Sequence, residues 1–253
     1  MSINVRVRIN SRHCDELIEA SSKNGLLQVD ARSIKSWASP VHGTVYGTLL
    51  NDRKAVEAMA QQMNEVPYKH PPKAPVLYIK PINTLAGHRS DVPLPQDAKE
   101  LQTRASVGLV IGKQAAKVNQ NEAYDYIEGF TLVNDISIPH NSVFRPAVKE
   151  NARDGFCPIG PWVVSKEDVT DPENLKINVY VNGAHKQQFL TDNLVRPIPQ
   201  LLQDVTEFMT LFKGDVLMVG CGHNPPRVTA EDIIRIESAE LGVLENKIGR
   251  VPS

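Results

Sequence analysis

The sequence predicts an α+β protein built from many short strands and few helices. Most apolar residues occur in short runs or alternate with polar residues, which is typical of strands, whereas helical spacing is confined to a few stretches. Prolines outnumber glycines by 18 to 15, and aromatic residues make up only 6% of the chain, which favours ordered loops between short elements. The sequence contains no internal repeat, so a solenoid is not expected.

The expected strands are residues 5–9, 44–50, 76–79, 107–111, 130–136, 177–181, 185–189, 215–219, 233–236 and 243–248. The segment 107–111 is almost continuously apolar and ends at Gly112, so we expect a central strand that is covered on both faces. Asn182-Gly183 separates two alternating runs and provides the two positive-φ positions of a tight hairpin turn. This hairpin is the strongest local signal in the sequence.

Helical spacing occurs in three places. Residues 56–63 follow Asn51 and Asp52, either of which can cap a helix that buries one face. Asn121 can cap a short second helix that ends near Gly129. The longest apolar helical face consists of Ile198, Leu201, Leu202, Val205, Phe208, Met209 and Phe212. We expect a helix here that stops at Lys213-Gly214, with Phe208 and Met209 in the core.

Clean strand and helix patterns begin close to Gly43, so we interpret residues 1–43 as an N-terminal accessory segment and residues 44–253 as the main domain. The chain has 28 Lys and Arg against 29 Asp and Glu, which argues against nucleic acid as a partner. Its apolar runs are far shorter than the roughly 20 residues that cross a bilayer, so no membrane is expected either. The absence of a secretory signal pattern and of Cys-x-x-Cys spacing predicts a cytoplasmic chain with reduced thiols.

Asp135 is the first candidate for chemistry. Asn134-Asp135 ends a predicted strand, where a carboxylate can face a cleft. Asp135 could therefore be a metal ligand or an acid or base, or it could belong to an Asx turn that only closes the strand. Residues 153–161 combine prolines, glycines and a charged pair, which suits a rigid loop that lines a site.

Several segments, in order along the chain, resemble the fumarylacetoacetate hydrolase family. They are Ile79-Lys80-Pro81 with Asn83-Thr84, Val110-Ile111-Gly112-Lys113, Gly129-Phe130 leading to Asn134-Asp135-Ile136-Ser137, and Phe156-Cys157-Pro158-Ile159-Gly160-Pro161. This resemblance covers about residues 43–250. Within the family, the chain is most similar to the isomerase/decarboxylases of the homoprotocatechuate pathway, in particular to their N-terminal half or the equivalent separate subunit. The segments that carry this second resemblance are Gly43-Thr44-Val45-Tyr46, Pro67-Tyr68-Lys69 and Phe144-Arg145-Pro146-Ala147-Val148-Lys149.

The resemblance implies a mixed β-roll fold and assembly into dimers or pseudo-dimers. It also implies small di- or tricarboxylic 2-oxo or enol acids as substrates. Family members usually bind Mg²⁺ or Mn²⁺, which polarises the 2-oxo and carboxylate oxygens of the substrate. The family's metal is held by two glutamates spaced Glu-x-Glu and by the aspartate of the Asn-Asp pair.

This chain departs from the family pattern at the metal ligands. Counting back from Gly112 places Arg104 and Ser106 at the two glutamate positions, so Asp135 is the one ligand position retained. A single carboxylate and a hydroxyl cannot replace three anionic ligands, and the arginine adds a positive charge. We therefore predict no tightly bound metal in this chain. Asn151 is a further departure, because many relatives carry a lysine at that position.

Arg104 admits two interpretations. It can be a structural arginine paired with a nearby acid, or its guanidinium can take the place of the metal, pair with Asp135 and offer a bidentate fork to a ligand carboxylate. Lys80 and Arg145 are candidate carboxylate binders, or else surface charges. Ser106 belongs to the same predicted substrate-binding group.

Two histidines also have alternative roles. His140 follows Asp135 in a loop and could act as an acid or base near neutral pH, or it could be an exposed loop histidine. Cys221-x-His223 could be a metal-binding or nucleophilic pair, or only a turn flanked by glycines.

Three functions remain open from the sequence. The first is a subunit of an isomerase/decarboxylase that acts on 2-oxo or 2-hydroxy diene di- or tricarboxylates in 4-hydroxyphenylacetate catabolism, as a homodimer or with a metal-bearing homologous subunit. The second is a metal-free pseudoenzyme that binds a small diacid or serves as a scaffold. The third is a metal-independent lyase or hydrolase that uses Asp135 and His140 as acid and base, with Arg104 stabilising charge.

Overall fold

The computed structural model describes residues 2–10, 15–23, 26–27, 36–66, 69–140 and 147–250. Their strands are β1 (Ser2–Asn10), β2 (Asp15–Lys23), β3 (Leu26–Leu27), β4 (Ser36–Trp37), β5 (Val45–Leu49), β6 (Val76–Lys80), β7 (Leu85–Ala86), β8 (Asp91–Leu94), β9 (Leu101–Ile111), β10 (Ile127–Ser137), β11 (Cys157–Ser165), β12 (Lys176–Val181), β13 (Ala184–Leu190), β14 (Val216–Met218), β15 (Arg227–Val228), β16 (Ile233–Ser238) and β17 (Gly242–Arg250). The α-helices are α1 (Arg53–Ala58), α2 (Ala60–Met63), α3 (Val148–Asn151) and α4 (Ile198–Thr206). This content confirms the predicted α+β class. Among these residues no helix has the length and apolar character needed to cross a membrane.

The strands form two sheets. The larger sheet has the order β3-β2-β1-β11-β10-β9-β14-β5-β6, with β15 beside β9, β4 beside β1 and β7 beside β11. The smaller sheet has the order β13-β12-β16-β17-β8. Both sheets are mixed, because β14 runs parallel to β5, β7 parallel to β11, and β8 parallel to β17 among otherwise antiparallel pairs.

Strand β9 is central and covered on both faces, as its apolar run predicts. Leu109 and Ile111 lie in the larger apolar cluster, which joins residues of both sheets. Val110 points to the opposite face and packs in a smaller cluster with Val45 and Val216. Because side chains alternate along a strand, this second face is the one that also carries the even-numbered polar residues of β9.

The local capping and hairpin signals are confirmed at two places. The Asp52 carboxylate accepts a hydrogen bond from the Ala55 N–H at 2.9 Å and so caps α1. Asn182 and Gly183 have φ values of 52° and 78° and join β12 to β13. Both features depend on residues next to one another in the chain, which is why the sequence predicts them.

Helix α4 ends at Thr206, well before the expected end of the helical face. The Thr206 carbonyl accepts the Lys117 N–H at 2.7 Å and its hydroxyl accepts the Val118 N–H at 3.0 Å, so this turn is tied to another segment. The chain turns away there, and Phe208 and Phe212 are 62% and 58% exposed. The prediction that Phe208 lies in the core is wrong, and the predicted helical face does not extend to Phe212.

The second predicted helix also differs from expectation. It is a 3-10 helix, Gln120–Tyr126, and its cap is Asn119 rather than Asn121. Gly129 does not end a helix but lies within β10, where a Cβ atom would stand 2.2 Å from the Val164 carbonyl oxygen. Sheet packing, not helix termination, accounts for this glycine.

The N-terminal segment extends the larger sheet. Strand β1 pairs antiparallel with β11, with Val5 opposite Val164, and β2 then pairs with β1. The boundary at residue 43 stays a prediction.

Candidate functional site

The second face of the larger sheet carries a buried polar cluster. Strands β9 and β10 are antiparallel neighbours, with Arg104 opposite Asp135 and Ser106 opposite Val133. Alternation puts these side chains on the face of the smaller apolar cluster. The register of two strands therefore brings the predicted arginine and aspartate together.

Asp135 is the centre of the cluster. Its side chain is almost fully buried, and its two oxygens face three donors from two strands, β6 and β9. The Lys80 Nζ lies 2.9 Å from Oδ1, and the Arg104 Nη2 lies 2.9 Å from Oδ2. The Tyr78 hydroxyl donates a short hydrogen bond to Oδ2. This arrangement excludes the Asx turn that was the alternative role of Asp135.

Lys80 is buried, so the alternative that it is a surface charge is wrong. Its ammonium donates to the carbonyl oxygens of Ile136 at 2.9 Å and of Asn151 at 2.8 Å, in addition to its ion pair with Asp135. An ammonium has three N–H groups, and three oxygens surround this one. Lys80 can therefore act on a ligand through its charge but not by a further hydrogen bond.

The nitrogens of Arg104 differ in how many hydrogen bonds they make. Its Nη2 contacts Asp135 and donates to the Asn151 Oδ1 at 3.0 Å, while Nε lies 3.5 Å from the Asp135 carbonyl oxygen. The guanidinium carbon lies 5.8 Å from the centre of the Tyr78 ring. No partner of Nη1 is found in the part of the chain that the structure describes.

Tyr78 and Asn151 are site residues that the sequence analysis did not assign. Tyr78 shares a face with Lys80 because they are two residues apart on β6, so strand alternation could have found it. The ring has room because position 47 is glycine: a Cβ on Gly47 would lie 2.0 Å from the Tyr78 Cζ. Asn151 ends α3, and nothing in its local sequence points to Arg104.

Charge and burial fix the protonation of the cluster. Burial alone would raise the pKa of Asp135, but Arg104 and Lys80 outweigh it and hold that pKa below its usual value. Burial, reinforced by Asp135, raises the pKa of Tyr78 well above its usual value. Burial lowers the pKa of Arg104, but Asp135 more than compensates and the net change is upward. The carboxylate is thus ionised beside a protonated phenol and guanidinium.

The other predicted site residues lie apart from Asp135 or make other contacts. The Ser106 hydroxyl is buried and donates to the Gly220 carbonyl oxygen at 2.6 Å. His140 is exposed, and no hydrogen bond or ion pair joins it to Asp135 within residues 69–140. Arg145 lies outside the described residues. His223 is exposed, and its carbonyl oxygen accepts a hydrogen bond from Gln187.

The donor set does not suit a divalent cation. Mg²⁺ and Mn²⁺ need several converging oxygen ligands, mostly anionic, whereas the one carboxylate here already faces an ammonium and a guanidinium. Across the described ranges, no group of three or more His, Cys, Asp or Glu side chains is arranged to hold a metal ion.

Cys157 and Cys221 lie near the cluster, and both interact electrostatically with Arg104 and Asp135. Burial raises the pKa of Cys157 to about 12 and that of Cys221 to about 11. Since the thiolate is the reactive form, we expect iodoacetamide at pH 8 to label both at least roughly 100-fold more slowly than in urea. Peptide mass spectrometry measures these rates. Equal rates in buffer and urea would contradict the raised pKa values of the two thiols.

A comparison with known families decides the classification. Residues 44–249 match the family model described as fumarylacetoacetate (FAA) hydrolase C-terminal. The chain belongs to the fumarylacetoacetate hydrolase family. The match covers the strands that carry Tyr78, Lys80, Arg104 and Asp135, so the cluster lies within the fumarylacetoacetate hydrolase domain.

Two of the curated proteins that the chain resembles are named as enzymes. The chain is 38% identical over 206 residues to the 4-hydroxyphenylacetate degradation bifunctional isomerase/decarboxylase of Escherichia coli, covering 81% of this chain and 47% of the relative. It is 32% identical over 192 residues to a mitochondrial oxaloacetate tautomerase of Rattus norvegicus, covering 70% and 59%. The chain thus spans about half the length of the bifunctional relatives that it matches.

Solved structures of the family share the fold. The 5-carboxymethyl-2-hydroxymuconate delta-isomerase of Mycobacterium smegmatis superposes with a TM-score of 0.81 at 23% identity, covering 98% of this chain and all of that one. The maleylpyruvate hydrolase of Sphingobium sp. SYK-6, solved in complex with manganese(II) ion and pyruvate, has a TM-score of 0.70 at 23% identity, covering 86% and 75%. At these identities the superpositions show a common fold, and the manganese site belongs to the hydrolase.

Proposed function

We propose that this chain is one subunit, or half-module, of an isomerase/decarboxylase of 4-hydroxyphenylacetate catabolism. Its substrates would be 2-oxo or 2-hydroxy diene di- or tricarboxylates formed after aromatic ring opening. The observation that carries the proposal is the 38% identity to a bifunctional isomerase/decarboxylase of which this chain covers 47%. The proposal places the chain in the cytoplasm, in a homodimer or with a homologous metal-bearing subunit.

The contacts of the cluster support a division of labour between two subunits. An acid or base must exchange a proton with the substrate, but both Asp135 oxygens already face donors from Tyr78, Lys80 and Arg104. His140, the other proposed acid or base, is exposed. In our proposal the metal-dependent chemistry therefore belongs to the partner subunit, and this chain supplies scaffold and charge.

The same proposal assigns a carboxylate-binding cleft to this chain. Arg104 and Lys80 would supply its positive charge and Asp135 would hold them in place, because their ion pairs fix the three side chains together. Arg145 and Ser106 remain proposed members of the cleft. These roles are independent of whether the chain itself performs turnover.

The test is an assay of subunit dependence. The full chain would be purified alone and mixed with a homologous chain that retains Glu-x-Glu and the Asn-Asp aspartate, with Mg²⁺ or Mn²⁺ present. Release of CO₂ from 5-oxopent-3-ene-1,2,5-tricarboxylate would be measured for each chain and for the mixture. We expect turnover in the mixture to exceed that of the partner alone, and this chain alone to be inactive.

Two results would contradict the proposal. Turnover by this chain alone would instead support the metal-independent enzyme that uses Asp135 and His140. No difference between the mixture and the partner alone would mean that this chain contributes nothing to catalysis.

A further inference from the structure

The polar cluster contains more buried positive charge than negative charge. Lys80 and Arg104 carry formal positive charges, Asp135 is the one carboxylate that contacts either of them in residues 37–66, 69–140 and 147–250, and the sum is one positive charge. The side chains of Lys80 and Asp135 are 0% and 2% exposed. An uncompensated buried charge is unfavourable, so such a site favours an anion as counterpart.

Among the three charged side chains of the cluster, that of Arg104 is the most accessible to solvent. Its side chain is 11% exposed, more than those of Lys80 and Asp135. The N–H groups of Nη2 are directed at Asp135 and Asn151, while those of Nη1 have no partner among the described residues. Among the described contacts of Arg104, the N–H groups that remain open to an anion are therefore those of Nη1.

We propose that this site binds one small carboxylate ion on the Nη1 edge of Arg104 without a metal. The inference deepens the proposed function, on which its ligand class rests, because it names the carboxylate end of a 2-oxo or enol acid as the ligand. It also revises the expectation of a bidentate fork. Nη2 is already engaged, so the ligand carboxylate is held by Nη1 without a fork shared with Nη2.

Asn151 is a positioning residue for this site. Its side-chain oxygen holds Nη2 of Arg104, and its backbone oxygen holds the ammonium of Lys80, so one residue joins the two cations. Tyr78 supports the same arrangement, because its ring lies near the guanidinium and its hydroxyl donates a hydrogen bond to Asp135. The atom proposed to bind the ligand is Nη1 of Arg104. Asn151 and Tyr78 therefore act on the ligand through Arg104.

The charge balance gives a direct test at Asn151. Asn151→Asp is nearly isosteric, and it places a second carboxylate 3.0 Å from Nη2 and brings the sum of formal charges to zero. Isothermal titration calorimetry would measure the binding of pyruvate and of succinate to the wild-type chain. We expect EDTA to leave the affinity for each acid unchanged. We expect about tenfold weaker binding in Asn151→Asp, although the fold is retained. Arg104→Gln should lose binding by a similar or larger factor.

Arg235→Gln is the matched control, because Arg235 pairs with Glu237 on an exposed part of β16. This variant should bind both acids with the affinity of the wild-type chain. Circular dichroism would establish that each variant is folded. Binding that needs Mg²⁺, no binding by wild type, or unchanged binding in Asn151→Asp would overturn the inference. These titrations use no partner chain and no turnover, so their failure is distinguishable from failure of the subunit assay.

Discussion

Asp135→Asn is expected to lower the free energy of unfolding by about 3–5 kcal/mol, because it leaves two buried cations without their carboxylate. Lys80 is completely buried and cannot turn to solvent. Urea denaturation followed by circular dichroism measures the change. Since the pKa of Asp135 is lowered in the folded chain, its contribution is present above its unfolded pKa and is lost as pH falls through the folded pKa. The difference between wild type and variant should therefore shrink below about pH 4.

Asp97→Asn is the control for this prediction. Asp97 also pairs with two cations, Lys149 and Arg153, but its side chain is 46% exposed. Solvent screens such pairs, so we expect the denaturation midpoint to remain nearly that of wild type. If Asp135→Asn were as mild as Asp97→Asn, the buried cluster would not be a major source of stability.

Restoring the family's ligand pattern is expected to create a metal site. The double variant Arg104→Glu with Ser106→Glu places two carboxylates beside Asp135 on one strand face and removes the guanidinium that contacts it. We expect this variant to bind Mn²⁺ at least about tenfold more tightly than wild type, because converging carboxylates are the ligands that such cations require. Electron paramagnetic resonance of unbound Mn²⁺ measures the affinity.

The double variant Arg104→Gln with Ser106→Gln matches the glutamates in size without their charge. It should bind Mn²⁺ no better than wild type, which separates the effect of charge from that of lost packing. Tight Mn²⁺ binding by the wild-type chain would contradict our account of the site. The account would also be contradicted if the Arg104→Glu with Ser106→Glu variant folded but bound Mn²⁺ no more tightly than wild type.

Together with the resemblance to the family, the identities of Arg104 and Ser106 predict an incomplete set of metal ligands in this chain. The spacing of Arg104 and Ser106 also placed both on one face of a strand, because side chains alternate with a period of two. Hairpin and cap positions at Asn182-Gly183 and Asp52 were predictable for a similar reason, since each depends on neighbouring residues.

Other features depend on contacts between distant segments. The helix that begins at Ile198 stops at Thr206 because the Lys117 and Val118 N–H groups bind there, and neither lies near it in sequence. Phe208 therefore becomes exposed although its spacing is that of a core residue. Local spacing contains no information about a competing donor from another segment.

By itself, the sequence determined the α+β class and the main strands, because these follow from local periodicity. The absence of two metal-binding carboxylates at Arg104 and Ser106 stays a prediction that rests on the resemblance to the family. Only the tertiary structure decided that Tyr78, Lys80 and Asn151 surround the Arg104–Asp135 pair. Their positions follow from the register of sheets and the docking of α3, which bring together residues as much as 73 positions apart. That assembly leaves the cluster with a net positive charge.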